Sequence, residues 1–281
     1  MPSFPRLLAL LLAAPAIGVW CATYSQIDSI VGQEFLNKFT LQAIPDPTVG
    51  RVNYVDGATA SSLGLLQVNG DRFVARADST TVLNPGGPGR NSFRMQSNSL
   101  YGPGVQIYNI NHMPEGCGTW PAVWSYAEPW PGPGEVDIVE GVNNQAVNQV
   151  ALHTTPGCTM PASRDMAGTA MANDCNTAVN GNTGCTVSFT NALRSFGPAF
   201  NANGGGWFAV ERTNTFIKIW FWERTDPNVP AGGRPTALFP NTSCDIASKF
   251  TQHHIIINLT FCGQWAGSFL ATSLLLTGGL T

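Results

Sequence analysis

No stretch of this chain carries the pattern of a long amphipathic helix. Thirty glycines and twenty prolines, with abundant Ser, Thr and Asn, cut its 281 residues into short pieces. An amphipathic helix needs apolar residues recurring every three to four positions over several turns, and no segment sustains that rhythm. The pieces that remain favour strands. "LLQVNGDRFVARAD" (65–78) sets Asn69-Gly70 between two strand-like runs, a hairpin signal because this pair tolerates the positive φ of a tight turn. "GWFAVERTNTFIKIWFWERT" (206–225) reads as two strands around Thr213-Asn214, and Phe216 to Glu223 within it is aromatic and β-branched, as a pleated surface prefers. "VQIYNINHM", "NQVALHTT" and "HHIIINLTF" add further strands. Many short strands with Gly and Pro turns predict an all-β sandwich or barrel.

The N-terminus carries Arg6 and then an apolar run from Leu7 to about Trp20, closed by small residues. That is the pattern of a secretory signal over residues 1–21 with the mature chain starting at Ala22; a membrane anchor would need about 20 apolar residues. The predicted location is therefore extracellular, with no stable membrane association. A net charge of −3 and a pI near 5.7 exclude the basic footprint of a nucleic-acid binder. Of seven cysteines, Cys21 falls in the leader, and Cys117, Cys158, Cys175, Cys185, Cys244 and Cys262 form an even set suited to disulfides. Cys158, Cys175 and Cys185 are placed to staple the long loop from Pro156 to Gly184. No CxxC pair or Cys/His spacing marks a metal site, so no metal or cofactor is expected. Asn241 and Asn258 head glycosylation sequons.

The charged residues are informative because they are scarce, at 11% of the chain. Even so, "GEVDIVEG" puts Glu135, Asp137 and Glu140 within six residues, flanked by Gly134 and Gly141. On a regular strand Glu135 and Asp137 share a face while Glu140 points the other way. One extra residue at Ile138-Val139, absorbed as a β-bulge, would bring all three acids to one side. Crowded carboxylates cannot all ionise cheaply, so one stays protonated. A protonated carboxylic acid beside an ionised one is the equipment of a glycosidase. Calcium is the rival reading, but the D-x-D-x-D-G loop pattern is absent. Just upstream lie Trp120, Trp124 and Trp130. Trp124 and Trp130 suit a cleft for the apolar faces of sugar rings, whereas Trp120 is assigned to the core.

"GEVDIVEG" matches the E-x-D-x-x-E signature of glycoside hydrolase family 16. "DPTVGRVNYVD", "GPGRNSFRM", "HMPEGCGTWPAVW", "NANGGGWFAVERTNTFIKIWF", "FPNTSCDIASKF" and "IIINLTFCGQWAG" resemble that family's fungal endo-β-1,3(4)-glucanases, or laminarinases. The resemblance runs from about Ala22 to Gly267 and makes 22–267 one catalytic domain. It implies a β-jelly roll of two curved antiparallel sheets with a concave, open glucan cleft. It further implies Glu135 as nucleophile, Glu140 as acid/base and Asp137 as the residue tuning the pair. By the same matching, Arg94, Trp124, Trp130, His153 and Trp265 line the cleft near the scissile bond, and Asn53 contacts a more distant glucose. Arg94 could equally bridge the acids electrostatically. His112, His253 and His254 receive no role.

The implied activity is retaining hydrolysis of β-1,3 or mixed β-1,3/1,4 glucan by a monomer. Transglycosylation of cell-wall glucan shares the same intermediate and is the alternative. The tail, "SFLATSLLLTGGLT" (268–281), departs from the family pattern. It reads as a truncated or misread end, a short native variant, or a lipid-anchor signal. On the first of these the sheet lacks its C-terminal strand, and the chain becomes a poorly folded or inactive glucan-binding form.

Overall fold

A computed structural model describes residues 23–230 and 232–268. The leader expected over 1–21 lies outside the described residues, as do the tail from 269 onward and any strand expected to be missing there.

Among the described residues the chain forms, in order, β1 (Phe39–Leu41), β2 (Val52–Tyr54), β3 (Leu66–Asn69), β4 (Arg72–Ala75), β5 (Arg90–Ser92) and β6 (Arg94–Ser97). Next come β7 (Gly104–Ile110), β8 (Thr119–Tyr126), β9 (Glu135–Glu140), β10 (Gln149–His153) and β11 (Thr169–Ala170). Last are β12 (Cys185–Ser188), β13 (Gly206–Arg212), β14 (Phe216–Glu223), β15 (Ala237–Pro240) and β16 (His254–Phe261). The helices are short, such as Gly57–Ser62, whose first turn is capped by the Asp56 carboxylate accepting from Thr59 N–H. The predicted hairpin is present as β3–β4, with Asn69 paired to Arg72 and Gly70 in the turn at φ +56°.

Eight strands make one sheet in the order β1-β6-β16-β8-β9-β10-β12-β11, and four make a second in the order β15-β14-β13-β7. Every pairing in both is antiparallel. The main core lies between them. Val136, Ile138, Val150, Leu152 and Val187 from the large sheet meet Phe208, Val210, Ile217, Ile219 and Phe239 from the small one. Strand alternation explains this, because the residues between those positions point to the other side of each sheet. The expected sandwich of two antiparallel sheets is thus the observed architecture. Its consequence for function is that the far face of the large sheet is free to carry Trp124, Glu135, Asp137 and His153.

Four of the six cysteines pair. Cys158–Cys244 ties the long loop after β10 to the segment after β15, and Cys175–Cys185 closes that loop on itself. Cys117 and Cys262 are free thiols, so the even count does not translate into three bridges. Loop-closure entropy makes the two bridges unequal: roughly 4–5 kcal/mol for the one spanning 86 residues and roughly 2–3 kcal/mol for the one spanning 10. Denaturant unfolding of Cys158→Ala/Cys244→Ala is expected to show the larger loss of stability, and Cys175→Ala/Cys185→Ala the smaller. Equal losses would mean that the lost packing of these buried sulfurs outweighs chain entropy.

Candidate active site

The acids sit at the centre of the large sheet, on β9. Against β8 the register runs Glu135↔Tyr126, Asp137↔Trp124, then Val139↔Val123 and Glu140↔Ala122, with Ile138 opposite no residue. Against β10 it runs Glu135↔His153 and Asp137↔Ala151, then jumps to Glu140↔Gln149. Both neighbours therefore find one surplus residue at Ile138-Val139, the place where the sequence parity required it. Ile138 and Val139 are both buried. Beyond them the alternation resumes in shifted phase, and Glu140 joins Glu135 and Asp137 on the far face.

Each acid has a distinct partner. Trp130 Nε1 donates to Glu135 Oε2 at 2.5 Å. Trp120 Nε1 donates to Glu140 Oε1 at 3.0 Å. Asp137, between them, is 2% exposed and lies 3.3 Å from His153 Nε2 through its Oδ2. The same Oδ2 lacks a properly directed hydrogen bond. The contact is therefore electrostatic, His153 placing positive charge against the cluster without satisfying that oxygen. His153 Nδ1 in turn lies 2.9 Å from Asn182 Oδ1.

These surroundings move protons. Burial, together with the Glu135 and Glu140 carboxylates, pushes Asp137 well above the ordinary Asp value. Burial lifts Glu140 to about 7 against the downward pull of the Trp120 indole and His153. For His153, burial opposes the charged ring, but the Asp137 contact and the Glu135 and Glu140 charges raise it to about 10. The site thus contains an imidazolium and a carboxyl that gives up its proton near neutrality. Donor atoms of Glu135, Asp137 and His153 also lie within 4.8 Å of one another, close enough to share a cation.

The aromatic residues border the acids. Trp124 is directly beside Asp137, stacks on Tyr126 with centroids 4.9 Å apart, and donates its Nε1 to Asn258 Oδ1 at 2.7 Å. Trp265, on the helical segment 263–268, meets Trp120 edge-on with centroids 5.5 Å apart. Trp120 was assigned to the core, yet its indole contacts Glu140; its even spacing from Trp124 on one strand was the signal that both share a face. Arg94 does not bridge the acids. It is three strands away on β6, buried, with its guanidinium over Trp124 and Tyr126 and its Nε on Gln42. Asn53 is exposed on the β2–β5 ribbon, where its Nδ2 donates to Asn91. Its neighbour Tyr54 reaches the sheet instead, accepting from Asn258 Nδ2.

Two expectations change. Asn258, read as a glycosylation site, is 8% exposed, and its amide is held between Trp124 and Tyr54, so a glycan there would require its withdrawal from the sheet. Asn241 remains exposed. His253, given no role, is fully buried between Ser125 Oγ at 3.1 Å and the Pro133 carbonyl at 2.8 Å. It thereby anchors the loop that carries Trp130. Burial, followed by the nearby Arg212 charge, drops its pKa to about 3.

Comparison with known proteins gives a consistent picture. Residues 39–277 match the model described as the XgeA-like, catalytic GH16 domain. A solved structure of GH16 laminarinase 16A from Phanerochaete chrysosporium, holding 6-O-glucosyl-laminaritriose in donor and acceptor sites, is 52% identical with a TM-score of 0.85, covering 89% of this chain and 88% of that one. An elongating family 16 β-1,3-glucosyltransferase is 38% identical with a TM-score of 0.82, covering 88% and 85%. A probable endo-1,3(4)-β-glucanase of Neosartorya fischeri is 42% identical over 89% of this chain but only 40% of its own length. The chain therefore spans about two fifths of that relative.

The raised pKa of Glu140 has a stability consequence. Between its ordinary value of 4.5 and about 7 the folded state binds the extra proton, so this contribution is present at low pH and lost as pH rises through 7. A displacement of that size corresponds to roughly 3 kcal/mol. Glu140→Gln keeps an acceptor for Trp120 and cannot ionise. Its melting temperature is expected to gain on the parent as pH goes from 5 to 8, read by thermal scans at each pH; a constant difference would place the cost elsewhere.

Proposed function

We propose that the chain, which belongs to glycoside hydrolase family 16, is a retaining endo-glucanase acting on β-1,3 or mixed β-1,3/1,4 glucan. The observation that carries this reading is the bulge on β9, which turns three acids of mismatched parity into one catalytic face. In the first step Glu135 attacks the anomeric carbon while Glu140 protonates the departing glycosidic oxygen. In the second Glu140, now ionised, takes a proton from water, which attacks the anomeric carbon and releases Glu135. The proton balance suits the residues: a general acid works best when its pKa is near the operating pH, and Glu140 titrates at about 7. Asp137, buried and pushed upward, keeps a proton within reach of the nucleophile and limits the negative charge beside it. The Trp130 indole fixes one oxygen of Glu135, leaving the other to attack.

Trp124, Trp130 and Trp265 offer aromatic surface to the sugar rings, Tyr126 is stacked on Trp124, and Trp120 supports both Trp265 and Glu140. The glucanase names of the relatives support the substrate class. Two disulfides support an oxidising, extracellular location. Among the described residues no helix is long and apolar enough to cross a membrane. The similar elongating glucosyltransferase favours a second reading, in which an oligosaccharide replaces water as acceptor.

Glu135→Gln is expected to lower kcat on laminarin by about 10³-fold or more, since it removes the nucleophile, while binding of a laminari-oligosaccharide stays measurable by calorimetry. Substantial remaining turnover would remove Glu135 from its role. Chain lengths of the products at high oligosaccharide concentration separate the two acceptors: products longer than the substrate mean transfer.

A further inference from the structure

A bulge leaves backbone groups without their ladder partners, and here those groups belong to the residues that aim Glu140. We infer that Asn148 is a positioning residue for the acid/base, its side-chain amide replacing the peptide that the bulge displaces. This rests on the reading of Glu140 as acid/base.

Asn148 lies immediately before β10 and is 0% exposed. Its Nδ2 donates to the carbonyl of Ile138, the surplus residue, at 2.8 Å. Its Oδ1 accepts from the backbone N–H of Glu140 at 2.9 Å. The amide orientation is fixed by chemistry, because a carbonyl can only accept and a backbone N–H only donate. One side chain thus clamps both ends of the irregular step, offering a donor and an acceptor as a peptide group would. The clamp is itself held: Asn148 N–H donates to Ser195 Oγ at 2.9 Å, and its carbonyl accepts from Phe189 N–H at 3.0 Å. Ser195 is 0% exposed and donates onward to the Ala192 carbonyl at 2.6 Å. From the other side, Trp120 holds the Glu140 carboxyl. The backbone of Glu140 is therefore fixed by Asn148 and its head group by Trp120.

Few residues could do this. Alanine leaves a buried donor and a buried acceptor unpaired. Aspartate keeps the acceptor for Glu140 N–H but turns a carboxylate oxygen towards the Ile138 carbonyl. Either change loosens the path along which Glu140 delivers its proton, while Glu135, five residues back on the regular part of β9, keeps its place. The ionisable groups that act on Glu140 are Glu135 and Asp137 from its own strand and His153 from β10; β8 contributes only the indole of Trp120.

The test compares two substrates of the full chain. Laminarin has a leaving group that needs protonation; a 2,4-dinitrophenyl β-laminarioside does not. General acid catalysis is worth about 10²–10⁴-fold, so Asn148→Ala is expected to lose about 10²-fold in kcat/KM on laminarin and less than about 3-fold on the aryl glycoside. The basic limb of its laminarin pH profile is expected to move as well. Asn148→Asp, which keeps the shape, carries the same comparison if the alanine variant does not fold. Ser195→Ala, which touches only the support, is expected to lower the melting temperature and leave the substrate ratio unchanged. Equal losses on both substrates, or none, overturn the proposal. Glu140→Ala run alongside separates the two ideas. If it lacks both leaving-group dependence and rescue by azide, the reading of Glu140 falls and the proposal falls with it. If it shows both and the Asn148 variants do not, only the role of Asn148 is lost.

Discussion

A single surplus residue in β9 decides what this protein can do. Side chains on a strand alternate strictly, and without the register jump at Ile138-Val139 Glu140 would point into the apolar core between the two sheets. An ionisable group there would have no partner, and burying it would cost several kcal/mol. With the jump, the core receives Ile138 and Val139 instead, and the far face receives a third acid. Packing and chemistry are thus satisfied by the same distortion. The apolar pair closes the sandwich because it is bulged, and the acids assemble because that pair is where the bulge falls.

Gathering three carboxyls then raises a charge problem that the rest of the site addresses. Glu140 and Asp137 are relieved partly by keeping protons, as their raised values indicate. His153 supplies the positive charge, directly across from Glu135 in the register and 3.3 Å from Asp137. Its other nitrogen meets Asn182, which is held at φ +61° at the end of a loop closed by Cys175–Cys185. Gly184 in that loop lies so close that a Cβ there would sit 2.8 Å from the His153 ring. The loop is therefore shaped around the imidazole, and the disulfide that joins it to the first residue of β12 helps to define the electrostatics of the acids.

How much of this could be read in advance depended on whether the cause was local. The strand pattern, the β3–β4 hairpin and the odd spacing of Glu140 are local, and the sequence alone led to the sandwich and to the bulge at Ile138-Val139. The face shared by Trp120 and Trp124 was also encoded, in their even spacing, but weighing each Trp separately concealed it. The bridging alternative for Arg94 failed for a different reason: charge suggests an acidic partner, whereas its place in the sheet put it over Trp124 and Tyr126. Asn258 carries a sequon whose meaning depends on exposure, which no short motif contains. Asn182, His253 and Asn148 act through loops and neighbouring strands that come together only in the folded chain.

The free thiols follow the same logic and extend it. Cys262 sits where β16 turns into the segment bearing Trp265, at φ +61°, and its N–H donates to the Gly118 carbonyl at 2.7 Å. Cys117 is one residue beyond that contact and exposed. Here the backbone, without a disulfide, already fixes the approach of the Trp265 segment to β8, and the Trp120–Trp265 contact continues it. The loop over His153 combines backbone hydrogen bonds, such as Thr154 N–H to the Cys175 carbonyl at 2.8 Å, with two disulfides. Covalent stapling in this fold is concentrated in the long loop beside β10 and β12, which is also where the charge on the catalytic cluster is set.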